Sequence, residues 1–241
     1  MKLIQLLKLI EDTALENGLS RPYLCGGLPR DKAINKQITL NDVDITTGDA
    51  DIHVLAKKVH EKIKNFPAKY VVMDDGHSSI MLPGLKLDFS SNFIVPNLEN
   101  IIKKTLIPIH QEMISRDFTC NALLMSMDMK TIYDPTRRGL KDIEKQEIDT
   151  CLPPNITLYV DPNRIVRAIY LSSKLDFKLS DRVESWIIKN KQVLNLVSPE
   201  YVTKKINKAL SFNYDNTIKL IKKLEIENVI PLNYIDFKAA I

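Results

Sequence analysis

Glycine is scarce in this chain, with seven in 241 residues, and so are cysteine, with three, and tryptophan, with one. The cysteines, Cys25, Cys120 and Cys151, are odd in number, far apart and matched by no close Cys or His ligand spacing. That excludes a disulfide framework and a structural zinc site, and it fits small buried residues in a reducing, cytoplasmic setting. No apolar run is long enough to span a bilayer, so no membrane partner is expected. The opening MKLIQLLKLIEDTALENG is interrupted by Lys8, Glu11 and Asp12 too early for a signal peptide. No internal repeat or low-complexity tract is present.

What is there suits a folded core: 44% of the residues are hydrophobic. A formal charge of +4 and a pI near 8.8 permit a nucleic-acid partner without demanding one. Leu3, Leu6, Leu7, Ile10 and Ala14 recur at helical spacing, so the first segment reads as an amphipathic helix ending near Gly18. YLCGG then reads as a short strand running into a turn, with Pro29 in the first turn of a new helix. DVDIT alternates as a half-buried strand does, ADIHVLAKKVHEKI is helical, and KYVVMDD, HSSIML and LKLDFSS read as strands, the last two joined by Pro83-Gly84. Beyond about residue 97 the spacing turns helical, in VPNLENIIKKTL, NRIVRAIYLSSKL, RVESWIIKNKQVL and YVTKKINKALSF. The expectation is an α/β unit over residues 1–145 and a helical region over 146–241, with proline-rich CLPPNITLYVDPN as the joint.

Chemistry concentrates in the first unit. On a strand, Asp42 and Asp44 point to one face, so two like charges converge and call for a cation. Oxygen-only ligands with room for phosphates suit magnesium, and Asp88 on a neighbouring strand could complete a two-metal site for in-line phosphoryl transfer. A D-x-D pair alone is also what a solvated strand face carries. Gly26-Gly27, at a strand end before a helix, would let a phosphate approach backbone N–H groups, with Arg30 adding charge. The GxGxxG pattern is absent, and a double glycine alone also makes a tight turn. The four histidines show no convincing ligand spacing, and Trp186 with the apolar stripe around it reads as core.

GGLPRD, DVDIT, GHSSI, LKLDFSS, SRDFTCNAL, DPTRRGLKDI and DPNRIVRAIYLSSKLDF, in this order, resemble the class II tRNA nucleotidyltransferase and bacterial poly(A) polymerase family. The resemblance covers about residues 20–180, and SPEYVTKKINKAL resembles a later helical motif in degraded form. It implies an α+β fold: a polymerase-β-like nucleotidyltransferase head, a mixed sheet with flanking helices, followed by an all-α neck and a truncated body. Residue by residue it implies nucleotide binding by Gly26, Gly27, Arg30 and Asp31, metal binding by Asp42 and Asp44, and an acidic role for Asp88. Arg116, Asp117 and Asn121 match the motif that reaches the ribose and triphosphate. Asp161 and Arg164 match the base-reading part of the neck, with Arg167 one helical turn on. Read without the resemblance, Arg116-Asp117 is also an exposed pair, Asn121 a helix cap, and Arg164 with Arg167 a solvated face.

Two departures stand out. Ser115 replaces the first arginine of the usual R-R-D-F-T stretch, and Val160 replaces the glutamate that steadies the base-reading arginine. The resemblance implies addition of CCA, or of C and A residues, to tRNA 3′ ends from CTP and ATP with Mg2+, releasing pyrophosphate. Poly(A) addition or another RNA-tailing activity uses the same head. A toxin or effector nucleotidyltransferase with a different acceptor, or a catalytically weak RNA-binding module, is the reading from another class.

Overall fold

The computed structural model describes residues 2–36, 40–73, 77–91 and 94–230. The chain divides into two compact units, Met1–Arg116 with Asn121–Leu140, and Asp117–Cys120 with Lys141–Ile241.

The first unit opens with helix α1 (Leu3–Glu16), which buries Leu6, Leu7, Ile10 and Ala14, most of the expected stripe. Gly18, at φ +61, turns the chain after it. The order continues β1 (Tyr23–Cys25), α2 (Gly27–Ala33), β2 (Asp42–Thr46), α3 (Asp51–Lys62), β3 (Lys69–Val72), β4 (Ser78–Leu82), β5 (Leu85–Phe89), α4 (Leu98–Ile102), α5 (Pro108–Ser115), β6 (Leu124–Met125) and β7 (Ile132–Tyr133). The strands form a seven-stranded mixed sheet in the order β3-β4-β5-β2-β1-β6-β7. Among the described residues of this sheet only the β2–β5 pair is parallel. Val43 and Ile45 of β2, with Leu87 and Phe89 of β5, point to the core face and are fully buried. Burying one such side chain contributes about 1.5–3 kcal/mol, so the alternation pins this register: a slip by one residue would expose all four. It also fixes Asp42, Asp44 and Asp88 on the opposite face.

One sequence reading is altered here, and part of two others is not described. The helix expected over VPNLENIIKKTL shrinks to the five residues of α4, because Asn97 and Lys103, at its two ends, are both left-handed (φ 56 and 50). Asp74 and Asp75 of KYVVMDD and Gly76 of GHSSI lie outside the described residues.

In the second unit come α6 (Gly139–Glu144), which begins at the boundary, then β8 (Glu147–Ile148), α7 (Pro154–Val160), α8 (Asn163–Leu175), β9 (Lys178–Leu179), α9 (Asp181–Asn190), α10 (Pro199–Phe212) and α11 (Tyr214–Lys223). The short parallel pair β8–β9 is an exception to the all-α expectation. The proline-rich stretch taken as a joint holds α7, since Pro154 sits in the first turn, where a missing N–H costs nothing. Ser180, Ser198 and Asn213 cap α9, α10 and α11 through their side-chain oxygens, each worth about 1 kcal/mol. Ile165, Val166 and Ile169 of α8 meet a core with Val202, Ile206 and Ala209 of α10 and Leu220 and Ile221 of α11. No helix among the described residues is long and apolar enough to cross a membrane.

Candidate active site

The parallel register sets Asp42 opposite Lys86 and Asp44 opposite Asp88. Because β residues two apart share a face, these four side chains stand at the corners of one patch. Burial, and then the Asp88 charge, raise the pKa of Asp42 above the ordinary aspartate value, with Lys86 opposing. Asp44 is raised too, by burial first, then by Asp42 and Asp88 against the pull of Arg116. Both carboxylates are thus held where their charge is unfavourable, which is what a hard divalent cation would relieve. Asp88 is differently occupied: Lys86 Nζ lies 2.5 Å from its Oδ2, and Ser79 Oγ donates to its Oδ1. Among the described residues no three His, Cys, Asp or Glu side chains are arranged to hold a metal ion. The donor set that could hold magnesium is the Asp42–Asp44 pair, while Asp88 is engaged by Lys86, Ser79 and Asp42.

The double glycine serves this face. Gly26 has φ +71 and ψ −130, a conformation that side chains rarely adopt, and a Cβ there would overlap Asp44 Oδ2 and lie 3.3 Å from its Cγ. A Cβ on Gly27 would crowd Arg30 Nη2 at 3.3 Å. The space the glycines leave is thus filled by the Asp44 carboxylate and the Arg30 guanidinium.

Arg30 is buried, and its guanidinium is committed inside the protein. Nε and Nη2 donate to Asp31 Oδ1 at 2.8 and 2.6 Å, and Nη1 donates to Asn121 Oδ1 at 2.6 Å. A bond across 91 residues of sequence ties α2 to the turn that carries Asn121. Arg30 acts here as a strut rather than as an exposed charge, and Asn121 is its acceptor rather than a helix cap.

Arg116 lies beneath the patch. Its Nη2 donates to Glu112 Oε1 at 2.7 Å and sits 3.2 Å from Cys25 Sγ. Glu112, fully buried, also accepts from Thr46 Oγ1 at the end of β2. Burial works against the arginine's charge, but the Glu112 and Asp44 carboxylates around it outweigh burial and keep it protonated. The neighbouring thiol is pushed up to about 12, chiefly by burial, so Cys25 is a neutral packing group and no nucleophile. Ser115, where the resemblance implies an arginine, is fully buried and accepts from the Val95 N–H at 3.2 Å.

The remaining candidates belong to the second unit. Arg167 donates from Nε and Nη2 to Asp117 Oδ2, and Asp117 Oδ1 accepts from the Phe118 N–H at 2.8 Å. Burial opposes ionisation of Asp117, but Arg167 and then Arg164 hold its pKa below the usual aspartate value. Arg164 is buried, with Nε 3.6 Å from Asp161 Oδ2. Asp161 Oδ1 accepts from both the backbone and the side-chain nitrogen of Asn163, at 3.1 and 2.9 Å. Val160, at the end of α7, is 42% exposed. Alongside, Lys205 Nζ lies 5.0 Å from the Tyr170 ring centroid and 5.7 Å from that of Tyr201, and Lys208 Nζ lies 5.7 Å from Tyr170. Burial and the nearby cations Arg167, Lys208, Lys204 and Lys174 lower the pKa of Lys205.

Sequence reasoning passed over Glu112, Ser79, Lys86 and Tyr201. Glu112 precedes Arg116 by four residues on α5, and Lys86 precedes Asp88 by two on β5. Both spacings are local signals of contact. Ser79 meets Asp88 across the β4–β5 pairing, and Tyr201, besides its helical neighbour Lys205, meets Arg167 of α8 only through the fold.

Residues 22–149, slightly more than half of the chain, match the family model described as the Poly A polymerase head domain. Over 190 residues the chain is 30% identical to the CCA-adding enzyme of Bacillus subtilis, covering 78% of this chain and 46% of that protein. It is 29% identical over 184 residues to the A-adding tRNA nucleotidyltransferase of Aquifex aeolicus, covering 73% and 21%. The chain thus spans less than half the length of either relative. Among solved structures, the CCA-adding enzyme of Bacillus stearothermophilus in complex with CTP matches with a TM-score of 0.75 at 25% identity, over 96% of this chain and 55% of that one.

Proposed function

We propose, from the premise that the chain belongs to the poly A polymerase head domain family, that it is a template-independent RNA nucleotidyltransferase acting on tRNA 3′ ends. The observation that carries this reading is the Asp42–Asp44 pair, raised on one face of β2 beside a glycine whose missing side chain makes room for Asp44. Asp42 and Asp44 would hold Mg2+. Bound there, the metal would supply charge neutralisation at the reacting phosphate and activation of the attacking hydroxyl.

The reaction is attack of the RNA 3′-oxygen on the α-phosphorus of a nucleoside triphosphate. One P–O bond forms, the bond to the β-phosphate oxygen breaks, and pyrophosphate leaves. In this reading Gly26 and Gly27 set the turn on the nucleotide side, and Arg30, itself paired with Asp31, holds Asn121 for the ribose. Arg116 stays charged near Asp44 and favours that carboxylate's ionised form. Asp117 and Arg167 form the base of the second unit's contribution, and Asp161 with Arg164 read the edge of the base. Asp88 contributes once its present partners release it.

CTP and ATP are the proposed substrates, and addition of CCA is the leading activity, because the Bacillus relatives are CCA-adding enzymes. The A-adding relative keeps A-only addition as the second reading. Purified protein with Mg2+, each labelled nucleotide in turn, and tRNA ending before C, after the first C, or after CC separates these outcomes. Incorporation of C and then A supports the first; incorporation only of A after CC supports the second. No incorporation into any of the three tRNAs would remove both.

A further inference from the structure

Lys86 is a cation among the carboxylates that the proposed chemistry does not ask for. It projects from β5 on the same face as Asp88, opposite Asp42 in the parallel pairing, and its ammonium is 2.5 Å from Asp88 Oδ2. The other oxygen of Asp88 accepts from Ser79 of β4, which lies directly opposite Asp88 in the antiparallel register. Each oxygen of Asp88 therefore has an internal donor. The lysine is 35% exposed at its side chain and the aspartate 21%, so the pair sits at the rim of the patch, reachable by solvent and ions.

We infer that Lys86 is a resident cation of this face, competing with the divalent ion for Asp88, so that metal is taken first by Asp42 and Asp44 and gains Asp88 only when Lys86 is displaced. The inference rests on the proposed metal role of Asp42 and Asp44. Physically, a positive charge beside two metal-binding carboxylates repels an incoming cation and satisfies the third carboxylate's lone pairs. Removing the ammonium while keeping the aliphatic stem lifts both effects. A lysine held there also tempers the repulsion among three acids while no metal is bound.

Mn2+ binding followed by electron paramagnetic resonance, on the full chain without nucleotide, tests this directly. Lys86→Met and Lys86→Gln should each bind Mn2+ about two- to tenfold more tightly than wild type, as expected for loss of one half-exposed competing charge. Adding Asp88→Asn to Lys86→Met should cancel most of the gain, because the carboxylate set free is then gone. Unchanged or weaker binding in both lysine variants overturns the inference, as does a gain that survives Asp88→Asn. So does a rise in nucleotide KM with Mn2+ affinity unmoved, which would make Lys86 a phosphate contact. Wild-type binding that is insensitive to Asp44→Asn removes the metal reading itself, a separate failure. No Mn2+ binding by wild type or either lysine variant removes both.

Discussion

Arg167 closes two donors on one oxygen of Asp117, Nε at 2.8 Å and Nη2 at 2.5 Å, in a pair separated by 50 residues of sequence. The two ends of this pair differ in exposure: the Asp117 side chain is 7% exposed and that of Arg167 is 44%. Water can hydrate the arginine if its partner is lost, but not the aspartate. Arg167→Met should therefore destabilise the fold more than Asp117→Asn. The expected cost of Arg167→Met is about 3 kcal/mol, the low end for breaking a buried pair, since part of this one is screened by solvent. Urea unfolding of both variants measures it, and equal or reversed costs would show that burial does not control this pair.

The same pair predicts a pH dependence. Asp117 has a folded-state pKa below its unfolded value, set by Arg167 and Arg164 against burial. A depressed carboxylate contributes stability that is fully present above the unfolded pKa, near 4, and is lost as pH falls through the depressed folded value. The stability gap between wild type and Asp117→Asn should be constant from about pH 5 upward and shrink below about pH 4. A gap that widens on acidification contradicts the assignment.

How much of this was legible in the sequence varies by residue and for physical reasons. The face shared by Asp42 and Asp44 follows from the two-residue period of a strand, which sequence carries directly. That Asp88 would lie beside Asp44 needed the β2–β5 pairing, which the family pattern supplied and which no local rule gives. The double glycine was readable as a device for close approach, but what approaches is the Asp44 carboxylate, a tertiary contact. Arg30 and Arg116 look from sequence like available charges. Burial shows otherwise: Arg30 donates to Asn121, 91 residues away, which no local rule gives, and Arg116 donates to Glu112 one helical turn back, where only burial of both ends turns an ordinary spacing into a committed pair. The helical stretches of α9 and α10 were visible where Ser180 and Ser198 precede an apolar stripe, whereas α11, capped by Asn213, was passed over. Helix length was misjudged where left-handed residues cut the stripe short, as at α4.

Asp42→Asn and Asp44→Asn should each abolish nucleotide incorporation while raising the thermal stability of the metal-free protein. Both carboxylates are held in positions that disfavour their charge, Asp44 chiefly by burial and Asp42 by burial and Asp88. A neutral isostere removes that cost without opening a cavity. Differential scanning calorimetry with chelator, alongside incorporation assays with Mg2+, checks both halves. A variant that unfolds at lower temperature would mean that the carboxylate supports the fold, and one that keeps full activity would mean that it is not a metal ligand.

Binding of tRNA should depend steeply on salt and draw on the lysines of α10. Lys205 and Lys208 lie over the Tyr170 ring, and Lys204 and Lys174 add charge close by. Lysines that neutralise phosphates release counterions, while an aromatic base beneath them offers a stacking surface. Each of Lys204→Gln, Lys205→Gln and Lys208→Gln should weaken binding and reduce the slope of log affinity against log salt by about 0.7–0.9. Filter binding across a salt series reads both quantities. Slopes unchanged in all three variants would place the RNA elsewhere.

Nucleotide choice is the sharpest consequence of the second unit's geometry. Cytosine and adenine each present an amino donor beside a ring-nitrogen acceptor, whereas uracil and guanine present a carbonyl beside a ring N–H. A carboxylate accepting from the amino group and a guanidinium donating to the ring nitrogen therefore favour CTP and ATP. Asp161 and Arg164, three residues apart where α8 begins, are the candidates, and Asp161 is already oriented by two bonds from Asn163. Glutamate is missing at position 160, and the valine there is 42% exposed. The negative charge near Arg164 instead comes from Asp161 at 3.6 Å and from Asp117. A mismatched base would leave a buried polar group unpaired, at about 1–3 kcal/mol, or roughly five- to 150-fold in discrimination. The looser bracing by Asp161 sets the expected preference toward the lower part of that range. Single-nucleotide incorporation of CTP, ATP, UTP and GTP by wild type, Asp161→Ala and Asn163→Ala measures it. Asp161→Ala should lose most of the preference, and Asn163→Ala part of it by freeing the carboxylate to turn. A wild type that takes all four nucleotides equally, or an Asp161→Ala variant with its preference intact, removes this pair from base recognition.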